Sequence, residues 1–192
     1  DEKIQNFYTE KYGVVHPTKA GLKIPEIFDA AINKEVKAVW IIGEDVVQTD
    51  PNSAHVAKAM NSLDLLVVQE IFMSETAKHA DVVLPGTTFL EKDGTFTNTE
   101  RRVQRVNRAA KPLPGTKPDG VIVTEMMQKL GYNQPIYDAD QVLAEIADVV
   151  PFFKGITRER LGKLGLQWPV KEDGTDTKIL HQKEFKLGKG RI

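Results

Sequence analysis

A chain of 192 residues, 41% apolar and 28% charged, can bury a core of its own without covalent staples. Lysine plus arginine (26) almost balances aspartate plus glutamate (27), and a net charge of -1 leaves no general positive field for a nucleic-acid backbone, so no nucleic-acid partner is expected. Cysteine is absent, which removes disulfides, thiolate metal sites, a cysteine nucleophile and protein-held iron–sulfur clusters from what the chain itself can offer.

No apolar run approaches the ~20 residues that cross a bilayer, and Asp1–Ile4 does not open like a secretory or transit signal. No membrane span is expected, and cytoplasmic placement is preferred over a periplasmic chain trimmed of its signal. The missing initiator methionine reads as a processed or excised chain.

From Ile24 to Asn33 the residues Ile24, Ile27, Phe28, Ala31 and Ile32 recur at helical spacing and predict one buried face. Val36–Ile42 is β-branched and aromatic and stops at Gly43, as a strand buried on both faces would. After a GEDVVQTDP loop, Asp50, Pro51 and Ser53 supply helix-start chemistry for a crossover helix with a stripe of Ala54, Ala57, Ala59 and Met60. Leu63–Gln69 predicts a second strand, Ser74–His79 a short helix, and Asp81–Pro85 a third strand. Strands alternating with helices at this spacing predict an α/β fold with an open parallel sheet, flanking helices and right-handed crossovers.

Between Gly86 and Arg108 the pattern is irregular and predicts a long functional loop or short hairpin pieces. Lys111–Pro118 (KPLPGTKP) marks a linker or surface turn, and a boundary is placed there, with 1–110 on one side and a smaller helical and irregular segment, 111–192, on the other. Asp119–Leu130 predicts a helix with Ile122, Met126 and Leu130 on one face, stopped by Gly131. Asp140–Val150 predicts another, with Val142, Leu143, Ile146, Val149 and Val150 inward and Pro151 as terminator. Beyond Asp176 the chain reads as an extended, mobile tail.

Ligands of an open parallel sheet collect beyond the carboxyl ends of its strands. That makes candidates of Gly43, Glu44 and Asp45 after the first strand, Gln69 and Glu70 after the second, and Gly86, Thr87 and Thr88 after the third. Gly43 and Gly86 permit close backbone approach, and Asp45, Thr49, Thr87 and Thr88 can bond ribose, base or phosphate oxygens. A carboxylate accepting from a ribose hydroxyl or a guanine edge fits Glu70, Asp81 or Asp119. The same residue types also make ordinary turns. Neither GxGxxG nor GxxxxGK[ST] is present, which argues against a usual NAD or ATP domain. His16, His55, His79 and His181 are scattered without metal-ligand spacing, and nothing assembles a Ser-His-Asp set. Arg101, Arg102, Arg105 and Arg108 read as a phosphate site or, alternating with Val103 and Val106, as the wet side of a strand.

The ordered run WIIGEDVVQTDP, then LVVQEIFMSETAKHADVVLPGTTFLEKDGTFTNTERRVQ, resembles the molybdopterin oxidoreductase family and, within it, the catalytic alpha subunits of formate dehydrogenases. The resemblance extends through PFFKGITRERLGKLGLQWPV. It implies a parent enzyme that oxidises formate to carbon dioxide at molybdenum or tungsten held by two molybdopterin guanine dinucleotides, with electrons leaving through 4Fe-4S clusters to electron-transfer subunits. It also implies that 1–110 is part of a discontinuous domain holding one guanine dinucleotide, completed by the remainder of the catalytic subunit. Carried over by position, Asp45, Thr49, Gln69, Gly86 and Asp119 become cofactor contacts, with Gly43, Glu44 and Asp81 beside them. The Glu91–Asn98 loop is expected to pack near the cleft without reacting. The cluster cysteines, the Cys or selenocysteine metal ligand and the catalytic His and Arg of the family have no counterpart in the chain, which is therefore expected to be an inactive fragment ending near the C-terminal barrel domain, with an exposed sheet edge. The corresponding segment of a nitrate reductase, a formylmethanofuran dehydrogenase or the NADH dehydrogenase large subunit is the nearest alternative, and a non-catalytic binding or assembly module the other.

Overall fold

The computed structural model describes residues 2–182, 184, 185 and 188, so the expected tail beyond Asp176 lies in part outside the described residues. In chain order the elements are α1 (Glu2–Tyr12), α2 (Ile24–Ile32), β1 (Ala38–Ile42), α3 (Val46–Thr49), α4 (Ser53–Met60), β2 (Leu65–Glu70), β3 (Val82–Pro85), β4 (Gly94–Thr97), β5 (Arg102–Val106), α5 (Asp119–Lys129), α6 (Ala139–Val149), α7 (Arg158–Leu161) and β6 (Leu166–Gln167). One three-stranded sheet has the order β1-β2-β3 and a second the order β4-β5-β6. The Asp81 amide donates to the Leu66 carbonyl at 2.9 Å and the Gly86 amide to the Glu70 carbonyl at 3.0 Å, so β2 and β3 run the same way, as expected for an α/β fold.

The chain divides into two compact units, one of Asp1–Val68 with Met73–Val82 and one of Gln69–Phe72 with Val83–Ile192. Both sides of the boundary expected near 110 fall in the second unit. In the first, Phe28, Ala31, Val56, Met60, Leu66 and Val68 are at most 5% exposed, each large side chain contributing roughly 1.5–3 kcal/mol by burial. The inward stripe of α4 is Val56, Ala59 and Met60, and Ala54 faces out. On α2 the buried set is Phe28, Ala30 and Ala31, and Ile24, the first residue of the helix, is 61% exposed. The cap of α4 is the Asn52 side chain, which accepts from the His55 amide at 3.3 Å.

In the second unit Val103, Leu143, Ile156, Leu161 and Val170 form the core, with Phe153, Leu166 and Trp168 packed against it. The stretch left open between loop and hairpin is a hairpin: β4 and β5 pair antiparallel from Gly94↔Val106 to Thr97↔Val103, and β6 adds Val103↔Leu166. Further expected faces need correction; β1 of the first unit, expected to be buried on both faces, buries only Ile41 and leaves Ile42 47% exposed. On α6 only Leu143 is buried, while Val142 and Ile146 sit at the rim, because the apolar stripe is wider than the surface it covers. On α5 the buried residues are Ile122 and Thr124; Leu130 follows the helix and is 79% exposed.

Candidate functional site

After β1, Gly43 turns the chain with φ +63°, a left-handed conformation that suits glycine, and a Cβ built there meets nothing within 4 Å. Asp45 follows, just ahead of α3. Its Oδ1 accepts from the Thr76 hydroxyl at 2.6 Å and the Thr76 amide at 2.9 Å, and its Oδ2 from the Glu75 amide at 3.3 Å. Burial pushes this carboxyl up, but the Thr76 side chain, then the amides of Thr76, Glu75 and Gln48, outweigh it and hold Asp45 below its ordinary value. Thr49 donates to Glu44 Oε1 at 2.9 Å on the surface, so these two expected contacts are each other's partners. Asp81 stands before β3, where its Oδ2 accepts from the Leu66 amide at 2.7 Å; its task in this structure is strand pairing.

The second unit brings Gln69, Gly86 and Asp119 together. Gln69, near the end of β2, is 0% exposed, and its Nε2 donates to Asp119 Oδ1 at 2.8 Å. Only the NH2 end of the amide can face a carboxylate, which fixes the orientation and leaves Gln69 Oε1 buried without a partner. Asp119 opens α5 behind Pro118, where the helix dipole favours a negative charge. Its Oδ2 receives the Lys92 ammonium. Burial raises the Asp119 carboxyl, but the hydrogen bonds from Lys92 and Gln69 and the Lys92 charge prevail, so it lies below the usual aspartate value. A Cβ on Gly86 would stand 3.1 Å from Asp119 Oδ1, so the missing side chain is what bares that face of the carboxylate. Thr87, 1% exposed, holds a second buried oxygen without a partner, its hydroxyl.

Of the three carboxylates left open by the sequence, Asp119 alone joins this cluster: Asp81 bonds its strand neighbour, and Glu70 Oε1 accepts from the Ile71 amide at 2.7 Å. Beside Asp119 lies a cavity of about 120 Å³ walled by Phe89, Phe96, Gly120 and Tyr137, with Lys92 and Asp119 at its edge. Phe89 and Phe96 meet edge to face at 6.2 Å. The Glu91–Asn98 loop thus lies against Asp119. Lys92 and Tyr137 were not singled out as site residues by the sequence; the position of Lys92 in that loop was the available signal for it, while Tyr137 reaches the cavity only because the segment after α5 folds back onto the helix start. The arginine run does not form a phosphate site at its first two members, since Arg101 caps the carbonyls of Trp168, Thr177 and Lys178 and Arg102 pairs with Glu100 at 2.6 Å.

The donor and acceptor set fits a nucleotide base. An ionised carboxylate with a bare face accepts paired N–H groups, and the unpartnered Gln69 and Thr87 oxygens offer further polar capacity beside it. Among the described residues no cluster of three or more His, Cys, Asp or Glu could hold a metal ion, and no helix is long and apolar enough to cross a membrane.

Residues 10–129 match the family model for molybdopterin oxidoreductase. The alpha subunit of the F420-dependent formate dehydrogenase of Methanocaldococcus jannaschii is 46% identical over 175 residues, 90% of this chain and 26% of that protein. The probable oxidoreductase YjgC of Bacillus subtilis is 40% identical over 192 residues, 100% of this chain and 20% of that protein. Acetylene hydratase from Pelobacter acetylenicus superposes with a TM-score of 0.61 at 22% identity, over 81% of this chain and 22% of that one, a likeness of fold. The chain thus spans only 20% to 26% of the length of these curated relatives.

Proposed function

The chain belongs to the molybdopterin oxidoreductase family, and from that premise we propose that it holds the guanosine end of a molybdopterin guanine dinucleotide for a formate dehydrogenase. The observation that carries this reading is the buried Gln69 amide locked onto Asp119 Oδ1 at 2.8 Å beside side-chain-free Gly86. That arrangement orients an ionised carboxylate before any ligand arrives, which lowers the entropy lost on binding. Asp119 would accept the guanine N–H groups, and Gly86 would let the base approach against backbone. Asp45, Thr49, Glu44 and Gly43, in the first unit, belong to the same reading as further cofactor contacts, Asp45 acting by holding the 75–76 segment and offering what acceptor capacity remains on Oδ2.

When bound, the cofactor supplies the molybdenum or tungsten centre at which formate is oxidised to carbon dioxide. The role of the chain is binding and orientation. With no cysteine in its sequence, it leaves the 4Fe-4S clusters and any thiolate metal ligand to the remainder of the catalytic subunit, and electron transfer onward to partner subunits. The relatives named formate dehydrogenase alpha subunits support this assignment over other members of the family. Cytoplasmic placement belongs to the same proposal and is checked by cell fractionation.

Calorimetric titration of the chain with guanosine 5′-monophosphate tests the site. Two hydrogen bonds to an ionised carboxylate are worth roughly 1.5–3 kcal/mol each, so Asp119→Asn, which presents an N–H₂ where an oxygen stood, should weaken binding by more than about tenfold. Equal affinities for wild type and variant overturn the assignment.

A further inference from the structure

We propose that Lys92 is a displaceable occupant of Asp119, setting the affinity and base selectivity of the site by competing with the ligand for one carboxylate oxygen. The proposal rests on Asp119 as the base acceptor and adds the partner that must leave. Both oxygens are engaged in the structure, Oδ1 by the Gln69 amide at 2.8 Å and Oδ2 by the Lys92 ammonium. The two partners differ in freedom. Gln69 sits in a strand with 0% exposure and cannot swing away without opening the sheet. Lys92 sits in the loop before β4 with its side chain 27% exposed, a point charge on a flexible stem. When a ligand arrives, Lys92 is the group that yields.

The ammonium also has somewhere to go. Lys92 lines a second cavity, of about 450 Å³, whose walls include the acidic residues Glu91, Asp93, Asp138 and Asp140 and the cations Arg108 and Arg158, the latter already paired to Asp140. A lysine moving from Asp119 into that space keeps acidic neighbours, so its displacement does not strand a buried charge.

Selectivity follows from the count of oxygens. A base that presents an amide N–H and an adjacent exocyclic amine bonds both carboxylate oxygens at once and so competes with the Lys92 ammonium for Oδ2. A base with the same N–H but no amine can use the spare lone pair of Oδ1 and leave Lys92 in place. Removing the lysine therefore favours the first kind of base over the second.

The test is titration of the chain with guanosine 5′-monophosphate and with inosine 5′-monophosphate, which lacks the amine. Lys92→Met should tighten the guanosine nucleotide about tenfold and the inosine nucleotide less than about twofold. Lys92→Arg, whose planar fork covers both oxygens, should weaken the guanosine nucleotide about tenfold. Asp119→Asn should weaken guanosine binding in the wild-type and Lys92→Met backgrounds alike. If Lys92→Met leaves guanosine affinity unchanged or lower, or moves both nucleotides together, the competition is overturned while a loss in Asp119→Asn keeps the acceptor reading. If Asp119→Asn loses nothing, the acceptor reading falls first and the competition with it.

Discussion

The Thr76 hydroxyl donates to Asp45 Oδ1 at 2.6 Å and accepts from the Val47 amide at 3.0 Å, so one buried oxygen joins the loop after β1, the start of α3 and the segment after β2. Thr76 is 0% exposed, and its partners Asp45 and Val47 are half-buried.

Thr76→Val keeps the volume and removes both bonds. It should lower stability by on the order of 2 kcal/mol. The carboxyl of Asp45 is held below its ordinary value in the folded chain, so its contribution is present above the usual aspartate range and is lost as pH falls through the lower folded value. The gap between wild-type and Thr76→Val melting temperatures should therefore be full at about pH 6 and shrink below about pH 4. A gap that stays constant down to acid pH would disconnect Asp45 from this bond.

Gly86→Ala separates binding from folding. The backbone of Gly86 is not in the left-handed region, and the added methyl would lie 3.1 Å from Asp119 Oδ1, 3.7 Å from Ile71 Cγ2 and 3.9 Å from the Glu70 carbonyl. Small shifts relieve these contacts, so stability should change by less than about 1 kcal/mol. The methyl covers the face of the carboxylate, so affinity for a guanosine nucleotide should fall by at least about tenfold. Thermal melts and titrations of one preparation read both quantities; undiminished affinity clears Gly86 of contact.

Most long elements were legible in the sequence because their patterns are strong; α1, which buries no residue, was not. The run Val36–Ile42 marks β1, and apolar spacing marks α2, α4, α5 and α6 to within a residue or two. Apart from β3, short or non-local elements were not. Four residues make α3, too few for a period to show. The β4–β5 hairpin hides because β4 is largely exposed and β5 buries only Val103, while its third strand, β6, is two residues long and comes from beyond residue 160. At the site, Gln69, Gly86 and Asp119 could be named through the family resemblance, but the Gln69–Asp119 bond spans 50 positions and the Lys92–Asp119 pair 27, distances at which spacing carries no signal.

Gly120→Ala sets helix propensity against packing. Alanine is favoured over glycine by about 1 kcal/mol inside a helix. Its Cβ at this position would run into the Tyr137 ring, and overpacking costs roughly 1–3 kcal/mol. Packing wins, so the variant should be less stable, and the loss should vanish in a Tyr137→Ala background. Burial first, then the charges of Asp138, Asp119 and Asp140, hold the Tyr137 phenol above its ordinary value. Its contribution is thus complete below about pH 10 and is lost as pH rises through the raised value. Tyr137→Phe should flatten the alkaline arm of the stability profile, and an unchanged arm would place that loss elsewhere.

Gln69→Glu probes the cluster by charge at nearly constant shape. The new carboxylate would take the place of the amide nitrogen that stands 2.8 Å from Asp119 Oδ1, on a side chain that is 0% exposed. Two carboxylates at that range cannot both ionise, and the Lys92 ammonium offsets only one of them. The glutamate is driven to hold its proton, so the cost is small below about pH 4 and grows as pH rises, exceeding about 2 kcal/mol at neutrality. Denaturant titration at acid and neutral pH reads this directly. Gln69→Leu is the control: it removes the unpartnered Oε1 along with the donor, leaves Asp119 its Lys92 partner, and should alter stability little at either pH while abolishing the preset orientation of Asp119 and with it most of the nucleotide affinity. A stability loss in Gln69→Glu that is the same at both pH values would mean that shape, and not the second negative charge, is what the buried position rejects.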